Sequence, residues 1–159
     1  GSKIASVCIT GDGSLMTNLH ELATVSHYDL KIKKFIINNN GYVSMRNTQL
    51  AFFSGELVAS DESSGVFIPS IKAISETFKI DYVSCASDKS IQSVISDVLE
   101  RKGPVICEVI CQQDQVIMPS VASKRLPDGR MVSTPLHDMV PSLSDKELEQ
   151  EIGRAVAIT

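Results

Sequence analysis

The sequence has little that would suit a nucleic acid or a membrane as a partner. Its 15 Lys and Arg residues are outnumbered by 19 Asp and Glu residues, giving a formal net charge of −4, which argues against a basic phosphate-binding face. No apolar run approaches the ~20 residues that span a bilayer, and no basic segment with a signal-peptide core opens the chain. We therefore expect a cytoplasmic protein that binds neither nucleic acid nor membrane.

Several common catalytic and binding motifs are also missing. The chain has no Cys-x-x-Cys pair, no G-x-G-x-x-G or Walker loop and no G-x-S-x-G nucleophile motif. Four cysteines are predicted to be buried, reduced thiols: Cys8, Cys85, Cys107 and Cys111. His20 and His27 share a predicted helix without a third ligand, so we interpret them as surface or interface residues. His137 beside Asp138 is interpreted as a contact of the C-terminal tail.

What is present suits a folded domain in which strands and helices alternate. The chain has 159 residues, of which 43% are hydrophobic and 21% charged, enough for one domain with a real core. The runs KIASVCIT, KKFIIN, DYVSC and PVICEVI predict strands, and the first two are expected to be buried. Helical spacing predicts helices from Ser14, as N-cap, to about Tyr28, after Pro69, and over 88–101. The pattern predicts a three-layer α/β/α fold, a parallel sheet with helices on both faces.

Two stretches lack this alternation. Residues 38–64 are predicted to be a long loop, of the kind that often carries function. Residues 112–143 contain four prolines and predict an extended tail, and the Ser144 to Glu147 capping box predicts a last helix over 144–157. We treat 1–159 as one domain, and interpret the opening Gly-Ser pair as an expression scar or a cut end, so that the chain is expected to begin within a longer protein.

Two short motifs end consecutive predicted strands. GDGS, residues 11–14, follows the first strand, and NNNGY, residues 38–42, follows the second. Carboxyl ends of parallel strands meet at one edge of the sheet, where ligands of open α/β folds bind. Asp12 beside a phosphate would be repulsive unless a divalent cation lay between them, and Mg²⁺ prefers such oxygen ligands. Either motif alone is more often a turn, but together they predict a magnesium diphosphate site.

This pair of motifs resembles the signature of thiamine-diphosphate-dependent enzymes, in which NN follows GDG after a little over two dozen residues. The segment LHELATVSHYDLKIKKFIINNNGYVSMRNTQ is similar to the carboxy-terminal cofactor domain of acetolactate-synthase-like members. The similarity covers Ile4 to Ile152. It implies the thiamine-diphosphate-binding fold, incomplete at its N-terminus, with thiamine diphosphate and Mg²⁺ as cofactors.

The resemblance also implies roles for individual residues. Asp12 and Asn39 would be side-chain ligands of Mg²⁺, and the backbone carbonyl of Gly41 would be the third protein ligand. The implied cofactor-binding set is Gly11, Asp12, Gly13, Ser14, Leu15, Asn39, Gly41, Tyr42 and Val43. Val43 departs from the family pattern, in which many members have glycine. Glu21 does not match the position of the family's activating glutamate.

By the same resemblance, the full-length protein would decarboxylate or carboligate a small 2-keto acid, as a transferase or lyase. The activating glutamate would come from a pyrimidine-binding domain of the same or a partner subunit in a homodimer or homotetramer. The chain itself is then expected to be a fragment without catalytic residues, inactive alone and a weak cofactor binder or none. The alternatives are another thiamine-diphosphate 2-keto acid decarboxylase, a flavodoxin-like phosphate- or nucleotide-binding module without thiamine, and a subunit paired with a separately encoded pyrimidine domain.

Overall fold

The computed structural model of the chain describes residues 6–115, 118–121, 123–136, 139–141 and 143–156. The chain forms two compact units, residues 1–115 and 116–159. Within the described ranges, no helix has the length and apolar character needed to cross a bilayer.

The first unit is built on a four-stranded parallel sheet. The strands are β1 (Ser6–Gly11), β2 (Ile32–Asn38), β3 (Asp81–Cys85) and β4 (Val105–Ile110), in the order β1-β2-β4-β3. The helices between them are α1 (Asp12–Met16), α2 (Glu21–His27), α3 (Val43–Phe52), α4 (Ile71–Thr77) and α5 (Ile91–Glu100). Every pairing in this sheet is parallel, which confirms the predicted α/β class.

Side chains alternate across the sheet and build a core on each face. Ile36 of β2 and Ile106 of β4 face one cluster, completed from α1, α2 and α4 and the turn before β3 by Leu15, Leu22, Val25, Ile71, Ile74 and Ile80. Phe35, Val105 and Cys107 face the other, which Val98 of α5 covers. Successive residues of a strand point to opposite faces, so β2 and β4 have apolar residues on both. The predicted helix–sheet–helix layering is confirmed.

The prediction that β1 is buried was wrong. β1 lies at an edge of the four-stranded sheet, and Val7 and Ile9 are 53% and 70% exposed. Cys8, expected to be a buried thiol, is half-buried. A continuous apolar run predicts a strand, but it does not show whether that strand lies at the edge or in the centre of the sheet.

The first predicted helix starts earlier than expected and is interrupted. α1 begins at Asp12, with Gly11 at the N-cap and no side-chain cap, so Ser14 is not the N-cap. Between α1 and α2 the backbone makes tight i to i+3 bonds, such as Asn18 N to the Leu15 carbonyl at 3.2 Å. The apolar residues keep their helical spacing across these tight turns, so the sequence predicts a single helix.

The long loop predicted over residues 38–64 contains a helix. α3 occupies ten of its residues, and the one buried residue of α3 is Arg46. Apolar periodicity detects helices that bury an apolar stripe, and α3 buries a guanidinium instead. The helix after Pro69 agrees with prediction, since Ser70 caps α4 by accepting a hydrogen bond from Ala73 N at 3.2 Å.

The second unit contains short antiparallel pairs and one helix. Strand β5 (Ser120–Val121) pairs with β8 (Met139–Val140), and β6 (Ser123–Arg125) pairs with β7 (Met131–Ser133). Helix α6 (Asp145–Val156) follows, and its predicted capping box forms, because Ser144 N donates to Glu147 Oε2 at 3.0 Å and Glu147 N to Ser144 Oγ at 3.4 Å. His137 and Asp138 lie outside the described residues.

Candidate functional site

The two motifs meet at the carboxyl edge of the sheet. In the parallel ladder of β1 and β2, Gly11 stands opposite Ile37, so GDGS and NNNGY leave neighbouring strands at the same level. A cleft of about 290 Å³ lies there, lined by Gly11, Asp12, Gly13, Ser14, Asn39, Gly41, Tyr42, Val43, Ser44 and Met45. The structure thus brings every predicted cofactor-binding residue except Leu15 to one cleft.

Asp12 joins the two motifs directly. Its carboxylate is 1% exposed and accepts hydrogen bonds from Gly13 N through Oδ1 and from Gly41 N through Oδ2, each at 2.8 Å. An ionised carboxylate offers about four acceptor positions. Two positions are filled by amides, which orient the group, and the rest can accept a cation.

Asn39 supplies an oxygen that lacks a donor. Its Oδ1 is buried and has no hydrogen-bond partner among the described residues. Leaving a buried polar oxygen unpaired is costly, and a hard cation would satisfy it. The Gly41 carbonyl likewise receives no hydrogen bond from the described part of the chain. One carboxylate and two neutral oxygens form a donor set that fits Mg²⁺.

The glycines of the two motifs are needed to different degrees. A Cβ on Gly13 would lie 2.6 Å from the Tyr42 ring, whereas one on Gly11 would have nothing nearer than Ser14 Oγ at 3.9 Å. Gly41 has φ +123°, and a Cβ there would lie 2.5 Å from the Ser60 carbonyl. Close packing of the Tyr42 ring on Gly13, and of the Ser60 backbone on Gly41, therefore requires glycine at both positions.

Leu15 contributes to the core and not to the cleft. Its side chain is fully buried in the cluster beneath α1 and α2, so only its main chain is available to a ligand. Ser14 is exposed at the cleft, where its hydroxyl and amide are accessible. Val43 lines the cleft at the first residue of α3.

Arg46 is the residue that the sequence analysis missed. Its side chain is 5% exposed. Nη1 donates to the carbonyls of Asn40 at 3.2 Å and Ser60 at 3.4 Å, and Nη2 to those of Asn39 at 3.2 Å and Gln113 at 2.6 Å. Arg46 therefore ties together the NNNGY turn, the segment around Ser60 and the chain that follows β4.

The segment around Ser60 is itself ordered by an acidic side chain. Asp61 Oδ1 accepts from Ser64 N at 3.0 Å and from the hydroxyls of Ser63 and Ser64 at 2.7 and 2.8 Å. These hydrogen bonds, with the charge of Arg46, lower the pKa of the Asp61 carboxyl. The segment presents the Ser60 carbonyl to Tyr42 N at 2.8 Å, and so supports the turn from behind.

Glu108 supports the other side of the turn. It is buried in β4, accepts from Asn38 Nδ2 at 2.5 Å and accepts a short hydrogen bond from the Tyr82 hydroxyl. Asn38 Oδ1 in turn accepts from Asn40 N at 3.0 Å. Burial and this hydrogen bond to Glu108 raise the pKa of the Tyr82 hydroxyl. A charged residue inside the apolar run VICEVI was the available sequence signal, since a buried carboxylate needs partners.

The remaining candidate ligands lie elsewhere. His20 is exposed beside Glu21 at 3.4 Å, and His27 packs edge-on against the Tyr28 ring. Across the described ranges, no three His, Cys, Asp or Glu residues form a group that could hold a metal. The four cysteines are free, with Cys85 and Cys107 buried and Cys111 half-buried.

Comparison with known proteins shows which family the chain belongs to. The family model for the "Thiamine pyrophosphate enzyme, C-terminal TPP binding domain" matches residues 1–109. An acetolactate synthase large subunit from Cyanidium caldarium is 32% identical over 127 residues, 77% of this chain and 21% of the relative. An acetolactate synthase from Arthrospira platensis is 29% identical over 115 residues, 72% and 20% respectively. The chain therefore spans about a fifth of the length of the curated relatives it matches.

A solved structure has the same fold. A thiamine diphosphate-dependent 4-hydroxybenzoylformate decarboxylase from Rhodococcus jostii aligns over 68% of this chain and 20% of its own, with a TM-score of 0.58 and 20% identity. The parallel sheet flanked by helices is thus the thiamine-diphosphate-binding α/β fold. The chain belongs to the family of C-terminal TPP-binding domains of thiamine pyrophosphate enzymes, as the domain of an acetolactate-synthase-like protein.

Proposed function

We propose that this domain anchors the diphosphate of thiamine diphosphate through Mg²⁺. The ligands would be the carboxylate of Asp12, the amide oxygen of Asn39 and the carbonyl of Gly41. The observation that carries the proposal is the buried Asn39 Oδ1, which lacks a donor among the described residues and lines the same cleft as Asp12. An amide oxygen left unpaired beside a half-satisfied carboxylate favours a cation.

The other residues of the cleft would hold the diphosphate itself. Ser14 would offer its main-chain amide and its hydroxyl. Gly13, whose own amide donates to Asp12, would let the chain come close to the ligand, and Tyr42 and Val43 would line the opposite wall. Gly11 would let the chain turn towards the ligand from β1. Because the Asp12 carboxylate and a phosphate in the same cleft would repel each other, Mg²⁺ must lie between them. This interdependence predicts that metal and cofactor bind together.

The activity belongs to the full-length enzyme. When bound, thiamine diphosphate supplies the chemistry for decarboxylating or carboligating 2-keto acids, and the protein supplies binding and orientation. We infer that the full-length protein acts on a small 2-keto acid as an acetolactate-synthase-like transferase or lyase in the cytoplasm. Its activating glutamate would come from a pyrimidine-binding domain of the same or a partner subunit in a homodimer or homotetramer.

Isothermal titration calorimetry tests the metal site. In the full-length protein that carries this chain, Mg²⁺ is titrated at a fixed concentration of thiamine diphosphate. Asp12→Ala and Asn39→Ala are expected to weaken Mg²⁺ binding by at least about tenfold, the scale of substitutions around metal sites. Asp88→Ala and Asn18→Ala are the matched controls, since both residues are exposed and outside the cleft. Equal affinity in Asp12→Ala and wild type would contradict the assignment.

Calorimetry also distinguishes this proposal from the phosphate- or nucleotide-binding alternative. A flavodoxin-like phosphate- or nucleotide-binding module would bind ATP or FMN tightly and show no response to thiamine diphosphate with Mg²⁺. Titration of both nucleotides into the wild-type protein is therefore the second arm of the experiment. Thiamine-specific binding that needs Mg²⁺ supports the proposal, and tight nucleotide binding alone overturns it.

A further inference from the structure

We propose that Arg46 is a positioning residue for the metal site. By holding the carbonyls of Asn39 and Asn40, its guanidinium keeps the turn that carries Asn39 and Gly41 in the geometry required to bind Mg²⁺. The inference rests on the proposed function of the cleft. It adds a side chain that touches neither metal nor cofactor but acts through residues that would.

The turn needs support because its backbone is strained. Asn40 has φ +58° and Gly41 has φ +123°, two successive residues in a region that L side chains disfavour and that only glycine adopts freely. Asn38 holds one side of the turn through the Asn40 amide at 3.0 Å. Arg46 holds the other through the Asn39 and Asn40 carbonyls, each at 3.2 Å.

Arg46 is buried without forming an ion pair. Across the described part of the chain no carboxylate lies within ion-pair distance of its guanidinium, which donates instead to four carbonyl groups. Its charge still acts on the nearby Asp61 carboxyl, whose pKa it helps to lower. An apolar side chain would fill this space at lower desolvation cost, so packing alone does not account for the guanidinium. Its five donors in a rigid planar fork suit several converging carbonyls, which a lysine ammonium cannot match.

The charge of Arg46 also acts on the neighbouring cleft. A buried cation beside an anion site lowers the cost of bringing a diphosphate there. Arg46 follows directly after Val43, Ser44 and Met45, the residues of α3 that line the cleft. The same residue can thus shape the turn and favour an anionic ligand.

The test measures Mg²⁺ affinity by calorimetry at fixed thiamine diphosphate, in the full-length protein. Arg46→Lys and Arg46→Ala are compared with Arg101→Lys, a matched control on the end of α5 whose guanidinium pairs with Asp97 at 2.9 Å. We expect both Arg46 variants to weaken Mg²⁺ binding 10- to 100-fold, about the range for residues that orient metal ligands. Arg46→Ala is expected to lower the melting temperature without cofactor, because four carbonyls lose their donor, but to keep a cooperative transition.

Two further readouts separate positioning from a purely structural role. Millimolar guanidinium, but not ammonium, is expected to restore Mg²⁺ affinity to Arg46→Ala by refilling the site. In an Asn39→Ala background, Arg46→Lys is expected to add little, because the ligand it positions is already missing.

Each outcome has a distinct meaning. If Asn39→Ala weakens Mg²⁺ binding and Arg46→Lys does not, the role of Arg46 is overturned while the metal site stands. If neither Asp12→Ala nor Asn39→Ala weakens binding, the metal site itself is wrong. If both Arg46 variants lose the fold without cofactor and guanidinium restores nothing, Arg46 is structural and the positioning role is rejected.

Discussion

Gly11 and Gly13 flank Asp12 symmetrically in the sequence but have different surroundings in space. The Tyr42 ring packs on Gly13, where a Cβ would lie 2.6 Å from it, while Gly11 is extended and has room for a methyl group. We predict that Gly13→Ala lowers the melting temperature of the cofactor-free protein and that Gly11→Ala leaves it nearly unchanged. Differential scanning fluorimetry of both variants measures this difference.

The Tyr42 ring provides the control. If the clash causes the loss, Gly13→Ala combined with Tyr42→Ala should be less destabilised than the sum of the two single changes, because the methyl group then has space. Additive losses, or equal effects of Gly11→Ala and Gly13→Ala, would contradict this explanation.

Cys107 gives stability a pH dependence in alkaline solution. Burial, assisted by the charges of Cys85 and Glu108, raises the pKa of its thiol from 9.0 to about 11. Between these values the unfolded chain releases the proton and the folded chain keeps it, so stability is full below pH 9 and falls as pH rises towards 11. The loss is at most about 2–3 kcal/mol, at about 1.4 kcal/mol per pKa unit.

Urea unfolding between pH 9 and 11 checks the prediction. Cys107→Ala should start less stable, because it leaves a small cavity, but should lose less stability as pH rises. Thiol labelling of the folded protein should modify half-buried Cys8 and Cys111 before Cys107. A parallel pH dependence in wild type and Cys107→Ala would argue against a raised pKa.

Local sequence was enough to predict which residues line the cleft, but not which residues support them. Asp12 and Asn39, which share that cleft, were singled out because each follows a strand in a short motif with oxygen donors. Arg46 was not, since its carbonyl partners at residues 39, 40, 60 and 113 are assembled by three separate segments. No local pattern encodes backbone acceptors from distant parts of the chain.

Elements with an apolar stripe or a cap were predicted better than those without. α4 has both, because Ile71 and Ile74 are buried and Ser70 accepts from Ala73 N. We predict that Ser70→Ala lowers the free energy of unfolding by about 1 kcal/mol and that Ser70→Asp largely keeps it. Urea denaturation followed by circular dichroism measures both changes.

Ser93 offers a matched control on α5. Ser93 is exposed, and its hydroxyl donates a hydrogen bond to the Ser90 carbonyl at 2.8 Å. Ser93→Ala is therefore expected to change the free energy of unfolding little. If Ser93→Ala lowers the free energy of unfolding as much as Ser70→Ala does, the N-cap hydrogen bond of Ser70 does not explain the effect of Ser70→Ala.

For the molecule as a whole, the first unit contains both hydrophobic core clusters of the parallel sheet. Every residue of both core clusters lies before position 110, and the Arg46 network ends at Gln113. We predict that a chain ending at Gln115 melts as cooperatively as the 159-residue chain. Thermal melts followed by circular dichroism compare the two.

A shorter truncation shows whether the Gln113 contact matters. A chain ending at Cys111 removes the carbonyl that accepts from Arg46 Nη2 at 2.6 Å, so it is expected to melt at a lower temperature than the chain ending at Gln115. Loss of the cooperative transition in both truncations would show that residues 116–159 are required for the first unit to fold.

The sequence by itself determined the alternation of strands and helices, the class of the fold and the pairing of GDGS with NNNGY, because these follow from apolar periodicity and from short motifs at strand ends. Only the tertiary structure decided that β1 is an edge strand, that α3 occupies the expected loop and that Arg46, Asp61 and Glu108 surround the turn. Burial and hydrogen bonding of these groups depend on residues far away in the chain, and local periodicity cannot predict which distant residues come together.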